Sequence, residues 1–170
     1  MILFDRLFRK PADPREAMRP LWHRTVAIAR EPEWYAQCGV ADTLEGRFDM
    51  VTAALSVVML RMETDPALAP QTAYLTEIFV EDMDGQLRQS GVGDLVVGKK
   101  IGKLMSTLGG RLGAYRTGFA DNGPTLEEAA RRNVTLTDDA LARQFADRLR
   151  ALRLRLDATS ADAMLAGDIA

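Results

Sequence analysis

The 170 residues suit one domain, long enough to bury roughly two thirds of the unfolded chain's surface in a single core. Composition is 47% hydrophobic and 27% charged, which excludes a disordered chain, and 22 Lys plus Arg against 24 Asp plus Glu, net charge −2, excludes the basic excess used to bind nucleic-acid phosphates. One cysteine, Cys38, and one histidine, His23, exclude an internal disulfide and a Cys/His zinc site, so both read as packing or surface residues.

The first ten residues carry Ile2, Leu3, Phe4, Leu7 and Phe8 with Arg6, Arg9 and Lys10. They are too short and too interrupted for a signal peptide, and they read as an amphipathic helix that lies on a membrane surface or packs on the domain. A helix follows from about Met18 to Arg30, with Trp22, Val26 and Ala29 inward. Pro32 then opens a short turn of helix through Trp34 and Tyr35, aromatic side chains suited equally to a core or to an interface.

Asp42, with Glu45 three residues on, has the pattern of a capping box. It opens a helix whose stripe Leu44, Phe48, Val51, Leu55, Val58, Met59 and Met62 is widened by Met50, Ala54, Val57 and Leu60. A helix apolar around most of its circumference is buried, so this one is expected to be central. Its apolar run, Phe48 to Leu60, contains Asp49 and falls short of the ~20 residues needed to span a bilayer.

After the Asp65-Pro66 and Ala69-Pro70 turns, the spacing predicts a helix with Leu75, Ile78, Phe79, Met83 and Leu87 inward and Glu77, Glu81, Asp82 and Asp84 mostly outward. The acidic set lacks the histidines of a helical di-metal site and reads as a solvated face. Gly91 and Gly93 end that helix, and the next runs from Asp94 to about Phe119 on the stripe Val97, Ile101, Leu104, Leu108, Leu112 and Tyr115. Gly93 to Lys100 has the glycine and lysine spacing of a phosphate-binding loop, but Lys100 stands where Ser or Thr should hold magnesium. The preceding segment is helical in period rather than a strand, so nucleotide binding is not expected. Gly98, Gly102, Ser106, Gly109 and Gly113 share one side of the same helix. Each helical glycine costs about 1 kcal/mol, and the expected compensation is close approach of another helix, a neighbour in the same domain in preference to an outside helix that docks there. Lys99, Lys100 and Lys103 read as a solvated edge suited to an acidic partner.

Thr125, after Pro124 and before Glu128, caps a short helix; Thr137 or Asp138 begins a last long one carrying Leu141, Phe145, Leu149, Leu152 and Leu156; the tail beyond Ala158 is expected to fray. The sum is an all-α, single-domain bundle of about six to eight helices over 1–170, its core at about 18–157 and segments 1–12 and 158–170 peripheral.

Several blocks together are distinctive: Ala29-Arg30-Glu-Pro-Glu-Trp34-Tyr35, Gly39-Val-Ala-Asp42-Thr-Leu-Glu45-Gly46-Arg47-Phe48-Asp49-Met50, Phe79-Val-Glu-Asp82-Met83-Asp84 into Leu87-Arg88, Gly91-Val-Gly93-Asp94-Leu95, Val97-Gly98-Lys99 and Gly110-Arg111-Leu112-Gly113-Ala114-Tyr115. Over about Trp22 to Tyr115 the chain resembles the ubiquinol-cytochrome c chaperone family. The resemblance implies an all-helical assembly factor, not an enzyme, that attends newly made cytochrome b, or another subunit of the bc1 complex, on its way into that complex. The chain starts almost directly at the domain, without an Arg- and Ser-rich transit segment, so a bacterial, cytoplasmic protein is expected, in contact with the cytoplasmic face of the inner membrane. No metal, haem, other cofactor, small-molecule substrate or nucleic acid is expected.

The candidate partner-binding or family-motif residues are Trp34, Tyr35, Asp42, Glu45, Arg47, Asp49, Asp82, Asp84, Arg88, Gly91, Asp94, Lys99, Lys103 and Tyr115. Arg47, Asp49, Asp82, Asp84, Arg88 and Asp94 are expected to form a polar network holding the two central helices. The alternative function is a peripheral membrane or lipid-binding module that docks through residues 1 to 10.

Overall fold

The computed structural model describes residues 13–120 and 125–170. The amphipathic reading of residues 1 to 10 and the placement of Pro124 lie outside them. Among the described residues the chain forms α1 (Arg19–Ala29), α2 (Pro32–Ala36), α3 (Leu44–Glu63), α4 (Thr72–Gln89), α5 (Asp94–Ala120), α6 (Thr125–Asn133), α7 (Ala142–Asp157) and α8 (Ala161–Ala166), with 3-10 turns at Pro14–Met18, Ala69–Gln71 and Asp139–Leu141. The extended contact found is one bridge between Val40 and Leu136. There the segment before α3 and the segment after α6 exchange backbone hydrogen bonds, Ala41 N to Thr135 O and Thr137 N to Gly39 O.

The central helix is α3, as its all-round apolarity requires. Thirteen of its 20 residues are buried, and α1, α5 and α7 pack around it. Its two buried hydroxyls cost nothing in unmade hydrogen bonds, because Thr52 donates to the Phe48 and Asp49 carbonyls and Ser56 to that of Thr52. Met50, Leu55 and Met62 from this helix meet Leu21 and Ile28 of α1, Leu75 and Phe79 of α4, and Phe145 and Leu149 of α7 in one cluster. Trp22 and Phe79 stand edge to face at 5.9 Å, the favoured arrangement of two ring quadrupoles.

Two local expectations are corrected. The cap of α3 is Thr43, whose hydroxyl accepts from Gly46 N at 3.1 Å, and not Asp42. Asp42 is turned aside to bind Arg47 at 2.7 Å. The tail does not fray: Ser160 caps α8, Gly167 ends it at φ +72°, and Met164 and Ile169 are buried. A side chain at Gly167 would strain the left-handed backbone and come within 2.7 Å of the Pro20 carbonyl. The α8 segment lies on α1, with the Arg24 guanidinium donating to the Ile169 carbonyl.

Removing residues 161–170 is therefore expected to cost about 3–6 kcal/mol, from burial of two apolar side chains at about 1.5–3 kcal/mol each, read by urea unfolding. A frayed tail would leave the midpoint unchanged.

Candidate binding groove

Two halves of α5 behave differently. The C-terminal half is fixed to the core through Leu108, Arg111 and Tyr115, all buried. Arg111 is the joint: its guanidinium donates to Asp49 Oδ1 at 2.5 Å and to the Thr52 hydroxyl, and it lies over the Phe48 ring, 5.7 Å from the centroid. The other Asp49 oxygen accepts from Thr135 N at 2.8 Å and Thr135 Oγ1 at 2.7 Å. One buried ion pair thus ties α3, α5 and the segment after α6. Tyr115 is also fully buried; its hydroxyl finds no hydrogen-bond partner among the described residues, and burial pushes its ionisation well above that of a free phenol.

The N-terminal half of α5 pairs with α4 instead; the first half of α4 is held in the core by Leu75, Ile78 and Phe79, and beyond Met83 the two helices form a hairpin that stands away from it. Between Gly85 and Gly102 only Val97 is buried. The hairpin turns at Gly91, φ +82°, where Gly91 N and Val92 N bond to the Arg88 and Leu87 carbonyls. Arg88 closes the turn by donating to Asp84 at 2.6 Å and to Asp94, which raises its affinity for its proton.

Between this hairpin and the body runs a groove of about 1210 Å³. Val26, Pro32, Tyr35, Leu44, Phe48 and Val51 line the body side, and Asp82, Met83, Gln86, Leu87 and Leu104 the hairpin side. Leu44 is 81% exposed, a large apolar side chain left in water at the groove's mouth. Asp42, Glu45 and Arg47 also line it; the Arg47 guanidinium holds the Asp42 carboxyl below the usual carboxylate range. Tyr35 donates to the Ala29 carbonyl at 2.9 Å, which fixes its ring beside the groove, and burial raises the pKa of its hydroxyl. Gly46, buried between Glu45 and Arg47, packs against the segment before α3: a Cβ there would come within 1.9 Å of the Ala41 carbonyl oxygen.

The candidate residues separate accordingly. Tyr35, Asp42, Glu45, Arg47 and Asp82 share the groove. Asp84, Arg88, Gly91 and Asp94 build the hairpin turn, and Lys99 and Lys103 sit exposed on α5 beyond it. Trp34, Asp49 and Tyr115 are inside the protein. Trp34 donates from Nε1 to the Ile28 carbonyl at 2.8 Å, packs on Phe145, and is covered by Arg148, 4.9 Å above its ring; it is a core anchor clamping α2 to α7. The single polar network expected of the charged residues is instead three separate sets, Asp42 with Arg47, Asp49 with Arg111, and Asp84 and Asp94 with Arg88. Arg111, the partner of Asp49, was not among the candidates.

The glycine face of α5 is also a correction. A Cβ built at Gly98, Gly102, Gly109 or Gly113 would meet nothing within 4 Å, so among the described residues no helix packs there. The close approach lies one turn farther on, at Gly118, where a Cβ would come within 2.8 Å of Leu126 on α6. Among the described residues no group of His, Cys, Asp and Glu could hold a metal ion, and no helix is long and apolar enough to cross a membrane.

Arg111→Met is expected to cost about 3–5 kcal/mol in urea unfolding, because it strands the buried Asp49 carboxylate, whereas the Asp49→Leu/Arg111→Met double variant costs clearly less than the sum of the singles. The raised Tyr115 ionisation has a defined sign. Its stabilising contribution is complete below the pKa of the unfolded phenol, about 10, and is lost as pH rises through the higher folded value. Tyr115→Phe should therefore flatten the alkaline limb of the stability profile.

The model of the family described as ubiquinol-cytochrome C chaperone matches residues 36–170. A comparison with curated protein sequences gives no match. Among solved structures, the crystal structure of the Cbp3 homolog from Brucella abortus is similar over 100% of this chain and 96% of that one, with 32% identity and a TM-score of 0.80. A family match that takes in the groove wall on α3, the whole hairpin and the buried Asp49–Arg111 joint leaves one conclusion: the chain belongs to the ubiquinol-cytochrome c chaperone family.

Proposed function

We propose that this protein is an assembly chaperone for the ubiquinol-cytochrome c reductase (bc1) complex, that its client is newly made cytochrome b, and that the client is held in the groove between the hairpin and the body. It works as a non-catalytic holder at the cytoplasmic face of the inner membrane, where a client of that kind is inserted. The observation that carries the reading is the groove itself, an apolar trough with Leu44 exposed at its mouth and Asp42, Glu45, Arg47 and Asp82 along it.

The chemistry suits a membrane-protein segment before insertion. Such a segment presents apolar side chains that water disfavours by roughly 25 cal/mol per Å², and Tyr35, Leu44, Phe48, Met83, Leu87 and Leu104 offer a surface that covers them. The charged groups of the groove discriminate by sign among the residues flanking an apolar run. Asp42 and Arg47 are already neutralised by each other, so they rim the trough without leaving an uncompensated charge when a client covers it. One wall is the outer part of a two-helix hairpin, which between Gly85 and Gly102 buries only Val97, a low-stability element able to adjust to clients of different bulk.

Leu44→Asp tests this without disturbing the core, since the side chain is exposed. The variant is expected to keep the parent's unfolding midpoint while recovery of newly made cytochrome b with the chaperone drops about tenfold, the equivalent of about 1.4 kcal/mol. Assembled bc1 complex should fall in cells carrying it, as in a deletion strain. Normal bc1 assembly in the deletion strain would remove the function, and undiminished recovery by Leu44→Asp would remove the groove.

A further inference from the structure

We infer that the tip of the α4–α5 hairpin is an anionic-lipid docking surface, through which the chaperone lies against the membrane; the inference rests on the proposed work at the inner-membrane face and names the surface that makes the contact.

The first observation is apolar exposure in an unusual place. Leu95 is 99% exposed and Val96 48%, and both sit in the first turn of α5 at the far end of the hairpin. Leaving a leucine side chain wholly in water forgoes the gain from burial, and this one cannot turn inward, because Val97, Leu104 and Leu108 face the protein from the opposite side of the helix. The second observation is charge. Three of the chain's four lysines, Lys99, Lys100 and Lys103, follow within five residues. All are exposed, and none makes an ion pair among the described residues. The arginines of α7 differ: Arg143, Arg148, Arg150, Arg153 and Arg155 each face a carboxylate.

Helical spacing joins the two observations. Leu95, Lys99 and Lys103 recur every four residues, and Val96 with Lys100 runs beside them, so all five share one side of α5. The nearest carboxylates in sequence, Asp84 and Asp94, are both held by Arg88. From Asp84 to Leu104 the hairpin carries four cations against two carboxylates, in a chain whose net charge is −2.

An anionic bilayer satisfies both features at once. Leu95 and Val96 reach the boundary of the acyl chains, while the long lysine stems carry their ammonium groups to the headgroup phosphates. A polyanion such as RNA would answer the lysines and leave Leu95 in water. The same pose holds the groove beside the bilayer, since the hairpin that ends in the tip forms one wall of it.

The test is flotation of the full-length chain with vesicles of phosphatidylethanolamine, with and without phosphatidylglycerol. Binding is expected only to the vesicles containing phosphatidylglycerol, and it should weaken as salt shortens the Debye length. Each lysine near an anionic surface is worth about fivefold in affinity, so the combined Lys99→Gln, Lys100→Gln and Lys103→Gln variant should bind roughly a hundredfold more weakly. Leu95→Asn should bind about tenfold more weakly, a loss that simple charge attraction does not produce. A chain lacking residues 1–12 should keep both dependences. Absence of vesicle binding by the parent, or binding indifferent to the lysine or Leu95 substitutions, overturns the inference. So does tighter binding to a short RNA or to polyglutamate than to the anionic vesicles, with Leu95→Asn unchanged. Assembly of bc1 in cells is read separately, so loss of this surface with the chaperone role intact is distinguishable from loss of both.

Discussion

The buried pair between Asp49 and Arg111 sets the shape on which everything else depends. The α5 helix spans 27 residues, yet between Asp94 and Ser106 only Val97 is buried, so its direction is decided where its second half enters the core. There Arg111 reaches Asp49 and Thr52 on the central helix, and Asp49 in turn holds Thr135. A guanidinium forked between a carboxylate and a hydroxyl has few alternative geometries. Desolvating both charges cancels much of their attraction, so the pair specifies more than it stabilises. What it specifies is the angle at which the hairpin leaves the body, and with it the width of the groove.

From that angle the division of labour follows. The body gathers its apolar residues in a core around α3, joined by the first half of α4, whereas the hairpin beyond Met83 buries little and offers most of its surface outward. A protein built to hold another polypeptide needs this combination, a rigid wall and a softer one facing each other across a trough. The groove's chemistry is correspondingly plain, with apolar side chains and one ion pair, Asp42 with Arg47, among the charges along it. The Tyr35 hydroxyl in it is engaged in positioning, held by the Ala29 carbonyl. The family match over residues 36–170 takes in nearly all of this arrangement.

Much of the fold was legible because helical burial repeats with the chain. The stripe from Leu44 to Met62 identified the central helix, and the hairpin was readable from Gly91 and Gly93. Other features depend on partners remote in sequence or on one hydrogen bond. Asp49 and Arg111 stand 62 residues apart and Asp49 and Thr135 stand 86 apart, and no local pattern pairs them. Thr43 displaced Asp42 as the cap of α3 because Arg47 competes for the Asp42 carboxylate. The α8 helix is six residues long, too short for a periodic signal, although Ser160 and Gly167 bracket it as cap and terminator. Trp34 suited core and interface equally until Arg148 was found covering it. The glycine face misled for a physical reason: small residues permit close approach without requiring it, and among the described glycines of α5 the neighbour is there only at Gly118, outside that face. Of the candidate site, the residues on the groove were recognisable from the resemblance, but the groove itself, formed by elements that meet only in three dimensions, was not.

The most direct measurement of the central claim is site-specific photocrosslinking during synthesis of cytochrome b. A photoreactive residue placed at Leu44 or at Leu87 on the opposite wall is predicted to capture the nascent chain. One placed at Leu154, which is 70% exposed on α7 outside the groove, should capture little. Equal capture from all three, or capture from Leu154 alone, would contradict a client held between hairpin and body.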